Sequence, residues 1–189
     1  MSHVCPWWFI GAFDNPLRRL IQNPDRIVEA WVKPGETAAD IGCGFGYFTI
    51  PLARRVGPSG RVWAVDLQEQ MLAGTRRRAE RARVAGRIAF HRAKREGLGV
   101  SGPVDFVLTF WMVHEVPDRE RFLKEIYELL RPGGKWLYVE PRLHVTGRAF
   151  EETVARALAL GFSIVARPGI GFSRAVVFAR GFSDSSDRP

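Results

Sequence analysis

Asp40-Ile41-Gly42-Cys43-Gly44-Phe45-Gly46 is the stretch that decides the fold. It follows a short β-rich run, Thr37 to Ile41, and opens a helical one from about Tyr47 to Val56. Glycines let a backbone turn tightly and come close to a ligand. The N–H groups at the helix start favour electron-rich ligand groups. A pyrophosphate-binding turn is spaced G-x-G-x-x-G. Here the glycines fall as G-x-G-x-G, and Asp40 stands two residues before the first. An acid in that place suits a cationic ligand and repels a pyrophosphate. A second acid, Asp66, closes the next β-rich run, Arg61 to Val65, 20 residues beyond Gly46. A carboxylate there can accept hydrogen bonds from both hydroxyls of a ribose, or cap the helix that follows.

Working outward, short β-rich runs alternate with longer helical runs, which predicts a parallel sheet with crossover helices. Asn15 to Val32 has helical spacing interrupted by Pro24, so two short helices are expected. A long helix is predicted over Gln68 to Val84, and strands over Arg87 to His91 and Asp105 to Thr109. Asp118 is placed to cap a helix through Leu130. Arg131-Pro132-Gly133-Gly134 then stops that helix before a strand from Lys135 to Glu140. A last helix, Gly147 to Leu160, precedes two strand-like runs, Phe162 to Ala166 and Arg174 to Ala179, that read as a hairpin. The chain divides into an N-terminal helical and aromatic cap (1–35), an α/β, doubly wound domain (36–180) and a polar, loose tail (181–189). Ligands of such sheets bind at the carboxyl ends of the strands.

The bulk composition narrows the classes. A chain of 189 residues with 46% hydrophobic and 25% charged residues suits one globular domain. No apolar run approaches the roughly 18–20 residues that span a bilayer. Cys5-Pro6-Trp7-Trp8-Phe9-Ile10 lacks a basic start and a cleavage site, so no signal peptide is read and a cytoplasmic location is expected. Two cysteines, Cys5 and Cys43, make neither a disulfide framework nor a zinc site, and no metal is expected. The formal charge of +8 fits nucleic-acid binding. The arginines are nonetheless spread over helices and loops, with one dense patch from Arg76-Arg77-Arg78 to Arg83. Nucleic acid is therefore the less favoured partner.

On Asp40 to Gly46, Val65-Asp66, Val104-Asp105-Phe106-Val107 and Leu130-Arg131-Pro132-Gly133-Gly134, the chain resembles a class I S-adenosylmethionine (SAM)-dependent methyltransferase of the small-molecule type. The likeness runs from about Glu36 to Arg180. It implies a Rossmann-like, seven-stranded, mostly parallel sheet whose last strand is antiparallel, and SAM as cofactor. Carried over, Asp40 and Gly42 face the methionine end of SAM with the Cys43 turn. Gly44 and Gly46 shape that turn, Asp66 holds the ribose and Leu67 borders the adenine. Family members often place an Asp near the end of the third strand to bind the adenine amino group. Lys94 fills that place here and cannot accept such a bond, so Glu96 or the backbone must replace it.

The run Thr109-Phe110-Trp111-Met112-Val113-His114-Glu115 leaves the fourth strand beside the reactive methyl in this fold. It lacks the Asn/Asp-Pro-Pro-aromatic motif of base-methylating relatives. Methyl transfer is a displacement on an activated donor, so alignment dominates, and a base is needed only for a protonated acceptor. His114 is the first candidate base and Glu115 the second. Each has a plain structural alternative, a loop hydrogen bond or a helix-start role. Phe110 borders the cofactor. Trp111, Trp8, Phe9, Arg142 and His144 are candidate walls of the acceptor pocket, the N-terminal aromatics as a lid. A methyltransferase acting on a small molecule is the first expectation. An RNA-directed methyltransferase or a non-catalytic SAM- or RNA-binding module is the alternative, and a nicotinamide-dependent oxidoreductase is disfavoured by the glycine spacing.

Overall fold

The computed structural model describes residues 16–182. Seven strands form one sheet: β1 (Thr37–Ile41), β2 (Arg61–Asp66), β3 (Ile88–Arg92), β4 (Val104–Phe110), β5 (Leu130–Pro141), β6 (Phe162–Ala166) and β7 (Ser173–Arg180). Their spatial order is β3-β2-β1-β4-β5-β7-β6. Neighbours from β3 to β5 are parallel, and β7 runs antiparallel to both β5 and β6. The doubly wound sheet with its antiparallel closing hairpin is therefore present, and the order reverses between β1 and β4, where such folds take ligands.

Alternation along each strand supplies two faces. Ala38, Phe106, Leu108, Leu137 and Val177 meet α2 (Pro24–Glu29), α3 (Thr49–Val56) and α4 (Glu69–Arg81) on one side. Ala39, Val107, Trp136, Tyr138 and Phe178 meet α5 (Arg119–Leu129) and α6 (Gly147–Ala159) on the other. Trp136 is completely buried, and its indole N–H still reaches Thr109 Oγ1 at 2.9 Å, so the large ring leaves no orphaned donor. Burial of each such side chain contributes about 1.5–3 kcal/mol.

Local chemistry sets the helix ends. Pro24 opens α2 behind an Asn23 cap, whose side chain accepts from the N–H groups of Asp25 and Arg26. It thereby splits the N-terminal segment into α1 (Pro16–Ile21) and α2. Asp118 caps α5 through the N–H of Arg121, and Thr146 caps α6. The helix expected through Val84 ends at Arg81, ahead of the left-handed Arg83, and two boundaries nearer the glycine turn and β5 also differ from expectation. The helix after the glycine turn starts at Thr49, because Gly46 is still left-handed at φ 80°. β5 begins at Leu130, which pairs with Val104, although Gly133 turns the chain at φ 75° and the register shifts before Lys135. Asp105 staples this region, since its carboxylate accepts from the N–H of Thr37 at 2.7 Å and meets the Arg131 guanidinium at 2.5 Å. The tail assigned to 181–189 lies outside the described residues from 183 onward.

Gly74 tests how tightly α4 seats. Alanine normally favours a helix interior over glycine by about 1 kcal/mol, yet a Cβ here would run into the ring of Phe45. Gly74→Ala is expected to lower the thermal midpoint, because overpacking costs about 1–3 kcal/mol. A raised midpoint in thermal denaturation would contradict this packing.

Candidate functional site

The carboxyl ends of β1, β2 and β4 converge on the glycine turn. Gly42, Gly44 and Gly46 all hold left-handed backbone, at φ 75°, 54° and 80°. Space adds to the demand for glycine: a Cβ on Gly42 would lie 2.8 Å from Met112, and one on Gly46 would lie 2.7 Å from Thr75. Thr75 of α4 ties the turn down by donating to the carbonyl of Gly44 at 2.7 Å. The Cys43 thiol points away from the open side into the core, 4.0 Å from Thr75 Oγ1. Burial, with the charges of Asp40 and Asp66, pushes that thiol well up. Cys43 therefore brings only its backbone to the site.

Two carboxylates flank the turn. Asp66 accepts from the N–H of Gly44 at 3.0 Å and of Gln68 at 2.9 Å, so it holds the turn and starts α4 at once. Burial raises its pKa against the pull of these backbone donors. Asp40 is only 3% exposed and accepts from Thr49 Oγ1 at 2.5 Å. Burial pushes it up to about 7, the Thr49 bond opposes this, and the charge of Asp66 adds to it. A buried acid and a half-buried one, side by side at one end of a sheet, suit positive charge. Leu67 is partly exposed beside them. With Gln68, Arg92, Ala93, Lys94, Arg95 and Glu96 it lines a groove of about 710 Å³. Lys94 and Gly97 exchange two backbone hydrogen bonds there, of 3.1 and 3.2 Å, in a tight turn.

The β4 side supplies a second cluster. The His114 N–H donates to Glu140 Oε1 at 2.9 Å, and Nδ1 lies 2.7 Å from Oε2. With both Glu140 oxygens accepting, the neutral imidazole carries its proton on Nδ1 and leaves the lone pair on Nε2. Burial lowers the His114 pKa, but the bond to Glu140 and the charges of Glu140 and Glu115 outweigh it and the net shift is upward. Glu115 Oε1 is 3.9 Å from Nε2, and the His144 ring stacks on His114 with centroids 6.2 Å apart. Arg142 spends its Nε on the carbonyl of Ser173 at 3.0 Å.

Trp111 is held left-handed at φ 61°, pinned by its backbone N–H on Val139 and its indole N–H on Ser173 Oγ at 3.0 Å. Such strain, of order 1–3 kcal/mol, gathers at functional sites. The Arg18 guanidinium from α1 lies 4.1, 5.5 and 5.0 Å from the ring centroids of Tyr47, Phe110 and Trp111. Phe110 also packs on Phe48, at 4.4 Å. Trp8 and Phe9, the expected lid, lie outside the described residues. Sequence reasoning missed Glu140 as the partner of His114; the signal was an acid ending an otherwise apolar strand. It also missed Thr49, Thr75 and Arg18, which carry no motif.

A doubly wound sheet with an acid-flanked glycine turn at its switch point defines a nucleoside-binding class. Residues 38–134, about half the chain, match the family model described as a methyltransferase domain. The chain belongs to that family. It is 34% identical over 109 residues to the demethylmenaquinone methyltransferase of Bacillus mycoides, covering 58% of this chain and 46% of that protein. It is 28% identical over 142 residues to the ubiquinone/menaquinone biosynthesis C-methyltransferase UbiE of Klebsiella pneumoniae, covering 73% and 57%. The chain spans about half the length of these curated relatives. A SAM-dependent methyltransferase from Aquifex aeolicus has the same fold, with a TM-score of 0.81 at 20% identity over 93% of this chain and 98% of that one. Among the described residues no helix is long and apolar enough to cross a membrane.

The two acids have a measurable consequence. A group whose folded pKa lies above its unfolded value stabilises the fold at low pH and loses that contribution as pH rises through the folded pKa. For Asp40 the window runs from its ordinary 3.8 to about 7. Stability of the ligand-free protein is expected to fall across that window, and Asp40→Asn to flatten the slope. Equal slopes for the two proteins in urea titrations at pH 5 and 7.5 would rule this out.

Proposed function

We propose that this protein is a methyltransferase that binds SAM and passes its methyl group to a small-molecule acceptor. The observation that carries the proposal is the pair of carboxylates, Asp40 buried and Asp66 half-buried, on either side of a turn in which neither Gly42 nor Gly46 has room for a Cβ. Such a pocket fits a ligand with positive charge and a ribose, and family membership agrees. Asp66 would accept from the ribose hydroxyls, and Asp40 would answer the ammonium group. Leu67 would border the adenine, with Lys94 at the groove's outer wall. Bound there, the cofactor supplies a methyl carbon already activated by its sulfonium.

The remaining work falls to the β4 and β5 ends. Phe110 and Trp111 offer flat faces to an acceptor, as suits relatives named for demethylmenaquinone. His114 Nε2 takes the acceptor's proton, and Glu140 fixes the tautomer that makes this nitrogen basic. Glu115 and His144 border the same imidazole, and Arg142 stands at the rim.

S-adenosylhomocysteine and SAM are expected to raise the thermal midpoint, since a ligand at a hundred times its Kd adds about 2.7 kcal/mol. No shift with either ligand at millimolar concentration, in folded protein, would sink the proposal. Asp66→Ala is expected to weaken binding of S-adenosylhomocysteine by roughly 1–3 kcal/mol, from lost hydrogen bonds. Unchanged affinity by calorimetry would remove Asp66 from the site. The His114 role is readable without an acceptor. In nitrogen-edited NMR, wild-type His114 should carry its proton on Nδ1 and titrate above the ordinary histidine range. Glu140→Gln should bring that pKa down, and the same titration curve in both proteins would refute the pairing.

A further inference from the structure

We infer that the β3 edge of the sheet, with the outer face of α4, is a docking surface for a nucleic-acid backbone. Between Glu69 and Glu96 the chain carries nine Lys and Arg against three Glu. Six of the eight net positive charges of the whole protein therefore fall in this one stretch. Topology makes the stretch contiguous in space, since β3 is an end strand and α4 packs beside it and β2. Arg76, Arg77, Arg81, Arg83, Arg92, Lys94 and Arg95 are all exposed. Among the described residues none of the seven lies within ion-pair distance of a carboxylate, whereas Arg19, Arg55, Arg121, Arg131, Arg148 and Arg167 elsewhere all do.

Two features show that this crowding is not incidental. Arg77 and Arg81 stand four apart on α4, where like charges destabilise a helix. The helix dipole favours cations at the helix C-terminus, near Arg81 and Arg83, but it does not reach Arg92, Lys94 and Arg95 at the β3 end. Arg83 occupies the left-handed position just past the helix, φ 57°, which glycine ordinarily fills. A strained charged residue there adds a cation to the stripe. The Arg76 guanidinium rests 4.2 Å from the Phe90 ring, which holds it along the edge.

The stripe runs from the far end of α4, past β3, to the groove lined by Arg92, Lys94 and Arg95. It thus turns a corner between a helix face and the end of the sheet. A line of phosphates can follow that course, while a flat bilayer meets only part of it. Among the described residues the most exposed large apolar side chains, Leu143, Leu20, Phe182 and Phe172, lie on other segments, and Leu67 alone borders the groove where the stripe ends. Backbone contact of this kind is independent of which acceptor is methylated.

The test is fluorescence anisotropy of fluorescein-labelled U20 RNA against the full chain across salt concentrations. Seven phosphate contacts to a single strand predict a slope of log K against log salt of about −5, or roughly a thousandfold loss between 50 and 200 mM. The triple variant Arg77→Ala, Arg81→Ala, Arg83→Gly should reduce the slope by about two. Its thermal shift with S-adenosylhomocysteine should stay at the wild-type value, showing the fold intact. A slope shallower than about −2, or a wild-type slope in the triple variant, overturns the inference. So does preferential capture by phosphatidylcholine–phosphatidylglycerol vesicles over RNA at the same salt.

Discussion

Two carboxylates are brought together by strand pairing and cannot escape one another. Asp40 lies in β1 opposite Ala64 of β2, and Asp66 ends that neighbouring strand. The turn after β1 then folds back so that the N–H of Gly44 donates to Asp66. Each acid has just enough partners to be buried: Thr49 for Asp40, the backbone of Gly44 and Gln68 for Asp66. Neither has a counter-ion among the described residues, and burial raises both pKa values. A carboxylate taken out of water without a counter-ion holds its proton more tightly, which is the direction of both shifts. The left-handed glycines, the Thr75 bond and the missing Cβ of Gly74 all serve to keep that geometry.

The opposite wall depends on register in the same way. Phe110 pairs with Val139, so the residues just past β4, Trp111 to His114, come up against Glu140 near the end of β5. Glu140 is wholly buried and gives both oxygens to His114, one through the backbone and one through the ring. This pairing fixes the imidazole's direction and its protonation together. The left-handed Trp111 is what lets the chain leave β4 quickly enough for His114 to reach back. Its strain is offset by bonds to Val139 and Ser173 on two further strands.

Features carried by neighbouring residues were legible in the sequence, and features carried by distant pairs were not. The glycine turn, the alternation of strands and helices with its closing hairpin, the Asp118 cap and the break at Pro24 are local, because torsion and capping preferences act within a few residues. Glu140 and His114 are 26 residues apart, and only the β4–β5 register joins them. Cys43 sits inside the motif, but its side-chain direction is set by Thr75, which lies 32 residues along the chain. The start of β5 was hidden because Pro132 and two glycines look like a stop, while the ladder to Val104 begins before them. The mouth contact of Arg18 with Tyr47, Phe110 and Trp111 was hidden for the same reason: three segments meet, and none announces it.

A chain of net charge +8 sets two acids without counter-ions among the described residues at the switch point of its sheet. The distribution of charge resolves the conflict. The basic residues crowd the β3 edge in open solvent, where salt screens them over about 8–10 Å. Asp40 and Asp66 act from inside, in low dielectric, where a charge counts for several times more at the same distance. At the mouth, the faces of Tyr47, Phe110 and Trp111 already hold the weakly hydrated guanidinium of Arg18, so the same rings suit another diffuse cation. Position therefore outweighs the sum: the basic side chains stand in solvent along α4 and the β3 edge, while the two carboxylates stand further in, at the carboxyl ends of β1 and β2.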